Sequence, residues 1–374
     1  RVAAAVAVLR SFSEITGGPG TGKTITVTTI LALLLEQGGA APPRIALAAP
    51  TGKAAARLSE SIRQAKPLIA CSDAIRSAIP EEAKTIHRLL GVRPGQQRPR
   101  YHGEHPLPVD LLVVDEASMI DLPLMARLLD ALPAEARLIL LGDKDQLASV
   151  EAGSIFADIC GNVSAAHYSE NFLHLLQLVT GERLPPAATH TGFSDSIALL
   201  HKSYRFCGEE GIGRLAAAVN RGDGDAVMAL FARGLDDISL YRPQAQNLAL
   251  QVVRTVLPHF QHCFDADGPG ESLRRFNEFR ILCAVRAGAA GVEQLNRAIE
   301  QQLRTRGLID ADGEHYRGRL VMVTRNDYSL GLFNGDVGIL WPDVAGDGSL
   351  RAWFAMPDDT IKQVSPGRLP QHES

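Results

Sequence analysis

The chain has 374 residues, 45% of them hydrophobic and 21% charged, with a formal net charge of −4. This is globular composition with length for about two domains. No run approaches the roughly 18 uncharged apolar residues of a membrane span, so no membrane partner is expected. The small negative charge argues weakly against a protein that coats nucleic acid but leaves room for a narrow binding channel, because the local potential decides. Cys71, Cys160, Cys207, Cys263 and Cys283 are odd in number and form no CxxC pair. A disulfide framework or zinc site is therefore not expected, and a reduced, cytoplasmic compartment fits.

The apolar opening RVAAAVAVLR reads as an amphipathic helix with Val2, Val6 and Leu9 near one face. It begins with Arg1 rather than Met, so the chain is expected to start inside a longer protein. SFSEIT (11–16) predicts a strand, and a glycine-rich turn leads from it into a helix from about Lys23 to Glu36. RIALAA (44–49) predicts a second strand, followed by a helix through Ala54 to Gln64. LLVVDE (111–116) and RLILLGD (137–143) are continuous apolar runs ending in acid, the pattern of strands buried on both faces of a parallel sheet. Strand and helix alternate, which predicts an α/β doubly wound fold with ligands at the carboxyl ends of the strands.

Residues 92–108 read as a loop or small insertion, and 161–195 as an irregular connection between domains. A helix near 210–220, the strand FRILCAV (279–285) and a helix from Val292 to about Arg306 suggest a second α/β pattern. From about 310, short strand-like runs separated by Gly and Asp turns, with Asn334-Gly335 as a turn signal, suggest a small β-barrel.

GGPGTGKT (17–24) fits G-x-x-x-x-G-K-[ST] between a predicted strand and a predicted helix, the context that gives this motif its meaning. Gly17, Gly18, Pro19, Gly20, Thr21 and Gly22 would form a loop whose backbone amides face phosphate oxygens, aided by the positive end of the helix. Lys23 would supply charge to the β- and γ-phosphates, and the Thr24 hydroxyl would ligate Mg²⁺. In DEAS (115–118), Asp115 is placed to hold Mg²⁺ and Glu116 to polarise the attacking water. Gln146, in GDKDQL (142–147), could report on the γ-phosphate, and helix capping by Asp143 or Asp145 is the plain alternative for that turn. The expected cofactors are ATP and Mg²⁺.

Taken in order, GGPGTGKT, APTGKAAARL (49–58), TIHRLLG (85–91), VVDEASMID (113–121), GDKDQL and KSYRF (202–206) resemble the motif series of superfamily 1 helicases. Their wording is most similar to the RecD (alpha) subunits of exodeoxyribonuclease V. The resemblance implies a P-loop NTPase with two RecA-like parallel-sheet domains, at 1–190 and 191–374. The second would be incomplete and carry an SH3-like insertion at about 310–370, to which GLFNGDVG (331–338) is similar. It implies an ATP-dependent DNA helicase that moves 5′ to 3′ in double-strand break repair and recombination. The implied partners are single-stranded and duplex-end DNA and the RecB and RecC subunits. Arg205 matches the arginine that reaches the γ-phosphate from the second domain. Pro50, Thr51 and Gly52, with Thr85 and His87, match segments that touch single-stranded DNA.

The family's adenine-reading Gln would lie just before Arg1, and its last motor motifs would follow Ser374. The chain is thus expected to be a fragment, with helicase activity assigned to its parent. No paired-carboxylate nuclease motif is present. Tyr101, His102 and His105 could form a metal or stacking cluster or a solvated loop. A free-standing RecD-like helicase and a protein-remodelling P-loop ATPase are the competing readings.

Overall fold

The computed structural model describes residues 1–39, 41–92, 98–147, 155–161, 168–186, 192–204, 211–242, 248–309, 315–325, 327, 329–343, 346–356 and 360–373. They form two compact units, Arg1–Ser239 and Leu240–Ser374.

In the first unit the order is α1 (Val2–Leu9), β1 (Phe12–Gly17), α2 (Lys23–Gly38), β2 (Ile45–Ala49), α3 (Gly52–Ala65), α4 (Asp73–Ala78), β3 (Ala83–Thr85), α5 (Ile86–Leu89) and β4 (Leu111–Val114). There follow α6 (Leu122–Asp130), β5 (Arg137–Gly142), α7 (Ile155–Cys160), α8 (Glu170–Thr180), β6 (Ile197–Leu200), α9 (Gly211–Asn220) and α10 (Gly224–Ala232). The six strands make one sheet in the order β3-β2-β4-β5-β1-β6, and every pairing is parallel. Helices cover both faces. Leu111 and Val113 of β4, with Ile139 and Leu141 of β5, enter a core with α1, α2, α3 and α8. The alternate residues Leu112, Val114, Leu138 and Leu140 enter a second core with α5, α6 and α7. Side chains alternate faces along a strand, so a strand covered on both sides must be apolar throughout, and these runs are.

β1 obeys that rule only in part. Ser13, Glu14 and Thr16 are all buried in it. Thr16 is satisfied, because its hydroxyl oxygen accepts the Lys144 amide at 2.9 Å. One oxygen of Glu14 accepts the Cys160 thiol at 3.0 Å, while its Oε2 and the Ser13 hydroxyl find no partner among the described residues. Burial pushes the Glu14 carboxyl up to about 8, opposed by the thiol hydrogen bond.

Two expectations change here. α1 is buried through Ala3, Ala5, Val6 and Ala7, so it is apolar around most of its girth and not one-faced. The stretch 161–195 is not irregular throughout: Ser169 caps α8 by accepting the Phe172 amide, and Phe172 and Leu176 enter the first core. The two units meet at 239/240, and β6, which hydrogen-bonds to β1, belongs to the first sheet.

The second unit holds α11 (Leu248–Phe264), α12 (Pro269–Asn277), α13 (Val292–Thr305), β7 (Leu320–Val323), β8 (Val337–Pro342), β9 (Leu350–Ala355), β10 (Ile361–Val364) and β11 (His372–Glu373). α11 packs on α13 through Val253, Val256, Leu257, Ile299 and Leu303. The strands form an antiparallel sheet, β10-β9-β8-β7-β11, on which α12 lays Leu273 and Phe276 against Ile339 and Trp341. The small strand-rich module expected from about 310 is this sheet. No parallel sheet forms in this unit among the described residues. FRILCAV (279–285) is not a strand, having no neighbour there to complete a hydrogen-bond ladder.

Glu14 sets a dependence of stability on pH. Its folded pKa lies above the unfolded value, so the folded state holds the extra proton and stability falls as pH rises from about 4.5 to about 8. The loss is bounded at roughly 3–5 kcal/mol. Glu14→Gln should flatten this slope and melt higher than wild type at pH 8. Parallel melting curves of the two proteins between pH 5 and pH 8 would count against the buried acid.

Candidate functional site

Because the strands are parallel, the segments after β1, β2, β3, β4 and β5 emerge on one edge of the sheet. The segment after β6, itself parallel to β1, emerges there too, so the motifs of the first unit gather on that edge. The loop 17–24 follows β1, Pro50-Thr51-Gly52 follows β2, Thr85 and His87 lie at the end of β3, Asp115 and Glu116 follow β4, and 142–147 closes β5. β5 sits between β4 and β1, whereas β2 and β3 lie on the far side of β4. The phosphate-type groups therefore gather at β4, β5 and β1, and the candidate DNA contacts at β2 and β3.

The loop 17–22 is shaped by glycine for two distinct reasons. Gly20 and Gly22 have φ of 74° and 82°, a left-handed conformation on either side of Thr21 that glycine adopts without strain. Gly17 is required by proximity: a Cβ there would lie 2.7 Å from Thr21 Oγ1 and 2.8 Å from Leu200 Cβ. Gly18 has open space around it. The carbonyls of Gly17, Gly18, Pro19 and Gly20 are all engaged. Lys23 Nζ donates to Gly17 O at 2.6 Å and Gly18 O at 3.2 Å, and Thr21 Oγ1 donates to Gly18 O at 2.8 Å. Ser203 Oγ donates to Pro19 O at 3.0 Å, and the Tyr204 amide donates to Gly20 O at 2.8 Å. Lys23 and Thr24 open α2, whose first amides face the same space.

Burial pushes the Asp115 carboxyl up to about 6. The Glu116 charge adds to this, while the Glu116 amide at 2.9 Å and the Lys23 ammonium oppose it. A desolvated carboxylate near a lysine and a helix-terminal hydroxyl supplies the hard oxygen donors that Mg²⁺ takes. Glu116 has φ of 52° and is the one non-glycine residue with positive φ among the described residues. That conformation costs roughly 1–2 kcal/mol, and such strain concentrates where geometry serves chemistry. It leads into a short turn, 117–119, that buries Ala117 and Ser118. Ser118 Oγ donates to Gln146 Oε1 at 3.4 Å, which joins the β4 and β5 segments. Asp143 is buried and accepts the Asp145 amide at 3.1 Å, a local turn contact, while Gln146 is exposed on the turn.

At β2 and β3 the hydroxyls have local work. Thr51 caps α3 by accepting the Ala54 amide at 3.2 Å, and Thr85, buried, caps α5 by accepting the Arg88 amide at 3.2 Å. Pro50 and Gly52 are half-buried and His87 is exposed. Arg205 lies outside the described residues. The chain leading to it, through Ser203 and Tyr204, rests on the phosphate loop as part of the first unit. Tyr101 and His105 stack at 5.4 Å, and no group of three metal-binding side chains occurs among the described residues. No helix among them is long and apolar enough to cross a membrane. Reading by motif missed Thr16, Ser118 and Ser203, although Ser118 and Ser203 lie inside motifs already singled out.

A glycine-shaped phosphate loop, an acidic pair at the end of a buried parallel strand and a polar turn on the next strand define a P-loop NTPase core. Residues 1–152 match the family model of the AAA domain. The whole-chain likeness is to RecD. The RecBCD enzyme subunit RecD of Haemophilus influenzae is 36% identical over 100% of this chain and 60% of its own length. That of Mycolicibacterium smegmatis is 40% identical over 94% of this chain and 58% of its own. The ATP-dependent RecD2 DNA helicase of Deinococcus radiodurans is 30% identical over 87% of this chain and 35% of its own. The chain thus spans about 60% of the length of the RecD relatives it matches.

Glu116→Gln in the full-length protein should leave nucleotide binding within about threefold and lower turnover by roughly 10²-fold or more, the scale of a general base. Nucleotide titration beside a turnover assay separates the two quantities. An equal loss of both would assign Glu116 to metal binding or to the fold.

Proposed function

We propose that this protein is an ATP-driven DNA helicase motor of RecD type. It acts on single-stranded and duplex-end DNA in an exodeoxyribonuclease V-like complex with RecB- and RecC-type partners. The observation that carries the reading is the division of one sheet edge. Phosphate-type groups stand at β1, β5 and β4, and the segments matching DNA contacts stand at β2 and β3, with β4 common to both sides. A rearrangement around a γ-phosphate at Asp115 is then transmitted through β4 to its neighbour β2 and to Thr51. The RecD likeness over the whole chain supplies the class of motor, and 5′-to-3′ movement follows from it.

Gly17 to Gly22 cradle the phosphates with their amides, Lys23 neutralises the β- and γ-phosphates, and Thr24 and Asp115 hold Mg²⁺. The bound ion supplies charge neutralisation to phosphoryl transfer. Glu116 orients and deprotonates the attacking water, Gln146 senses the γ-phosphate and Arg205 stabilises the transferring charge. Pro50, Thr51, Gly52, Thr85 and His87 line the DNA track. Two RecA-like domains would close on ATP and open after hydrolysis. Similarity to the RecD2 helicase favours, as a second reading, a motor that works without partner subunits. A protein-remodelling ATPase would need neither DNA track nor DNA stimulation.

ATP hydrolysis by the full-length protein should rise at least tenfold with single-stranded DNA, alone or with RecB- and RecC-type subunits. Arg205→Ala should lose that stimulation while keeping nucleotide affinity within about tenfold, a coupling scale of 1–3 kcal/mol. An Arg205→Ala protein that still responds fully to DNA would remove this arginine from the coupling. The double variant Thr51→Ala, His87→Ala should weaken single-strand binding by fluorescence anisotropy. Wild-type affinity in that variant would place the DNA track elsewhere and favour the remodelling reading.

A further inference from the structure

The four residues after β6 form a strap, 201–204, across the phosphate loop of the same unit. Two of its contacts fall on neighbouring peptide groups of the loop. Ser203 Oγ donates to the carbonyl of Pro19 and the Tyr204 amide to the carbonyl of Gly20, two consecutive peptide groups. In a trans peptide the C=O and the following N–H point to opposite sides of the chain. Holding the Pro19 and Gly20 carbonyls toward the strap therefore turns the Gly20 and Thr21 amides away from it. These are the first two amides of the run that ends at Lys23 and the start of α2. The preceding carbonyls, Gly17 and Gly18, are held from within the loop by Lys23 and Thr21. Four successive carbonyls are thus engaged by donors, and the last two are held by a segment 184 residues away in sequence.

This dependence has a physical reason. The peptides flanking Gly20 have few steric limits, because glycine takes either sign of φ, so the loop's own sequence does not fix which way they face. The Pro19 carbonyl and the Gly20 amide belong to one peptide group, so a donor that holds that carbonyl orients that amide. β6 pairs with β1 up to Gly17–Leu200, which delivers the strap to the loop at a fixed register. The close approach of Gly17 to Leu200 is the same arrangement seen from the loop.

We infer that Ser203 is a positioning residue of the nucleotide site: its hydroxyl, with the Tyr204 amide, preorganises the Gly20 and Thr21 amides to receive phosphate. The inference rests on the reading of 17–24 as a phosphate site. It makes nucleotide affinity, rather than the chemical step, the property that Ser203 controls, because Ser203 reaches the phosphates only through the loop.

The test measures Mg²⁺–ADP affinity and steady-state ATP hydrolysis in the full-length protein carrying Ser203→Ala or Ser203→Thr. Ser203→Ala should raise the ADP Kd and the KM for ATP together by about three- to tenfold, the scale of one neutral hydrogen bond. Its kcat should fall by less than twofold. Ser203→Thr keeps the hydroxyl and should return both constants to within about twofold of wild type. Melting of the nucleotide-free Ser203→Ala protein should stay within about 2 °C of wild type. Unchanged affinity in Ser203→Ala overturns the inference and leaves the phosphate site standing. Failure of Ser203→Thr to restore affinity, or a large drop in nucleotide-free melting, overturns it in favour of a packing role. Wild-type protein that binds no nucleotide removes the phosphate site and this inference with it.

Discussion

The parallel run of the first sheet is the constraint on which the site depends. A parallel strand returns to its neighbour only by a crossover, so every carboxyl end lies on one edge and every amino end on the other. Groups far apart in the sequence, such as Lys23, Asp115 and Gln146, are delivered to that edge by strands that are almost wholly buried. The sheet fixes where each segment leaves, and short local devices aim it: glycines at 20 and 22, the left-handed Glu116, and the Thr16 hydroxyl under the Lys144 amide. Thr16 ties the strand that carries the phosphate loop to the turn that carries Gln146 through one bond.

Legibility in the sequence follows the range of the interaction. β4 and β5 could be read because a strand covered on both faces is apolar at every position, and LLVV and LILL are. The phosphate loop could be read because its shape is set by glycines within eight residues. FRILCAV has the same apolar character as β4 and forms no strand, because pairing depends on a neighbour that composition does not report. β1 is the opposite case: Ser13, Glu14 and Thr16 look like an exposed strand, and only Cys160 and Lys144, far along the chain, explain the burial of two of them.

α8 was hidden by its surroundings, since a proline pair at 185–186 and the polar start of the segment suggested a connection. Its Ser169 cap and its apolar stripe of Phe172 and Leu176 are local signals, and they carry more weight than the flanking breakers. Membership of the first sheet follows a related rule. A strand that closes the edge of a sheet can come late in the chain, and β6 does so after the helices that would otherwise mark the end of the unit.

Glu116 sets two selective pressures against each other. A glycine at its left-handed position would relieve backbone strain and should make the fold more stable by about 1 kcal/mol, but it removes the carboxylate. Asparagine, which tolerates that region better than most residues, would be the intermediate compromise. Position 116 is therefore one where a library selected for thermal resistance alone should drift toward glycine or asparagine, and one selected for turnover should hold the acid. A stability–activity conflict confined to a single residue marks its backbone as maintained for use rather than for folding.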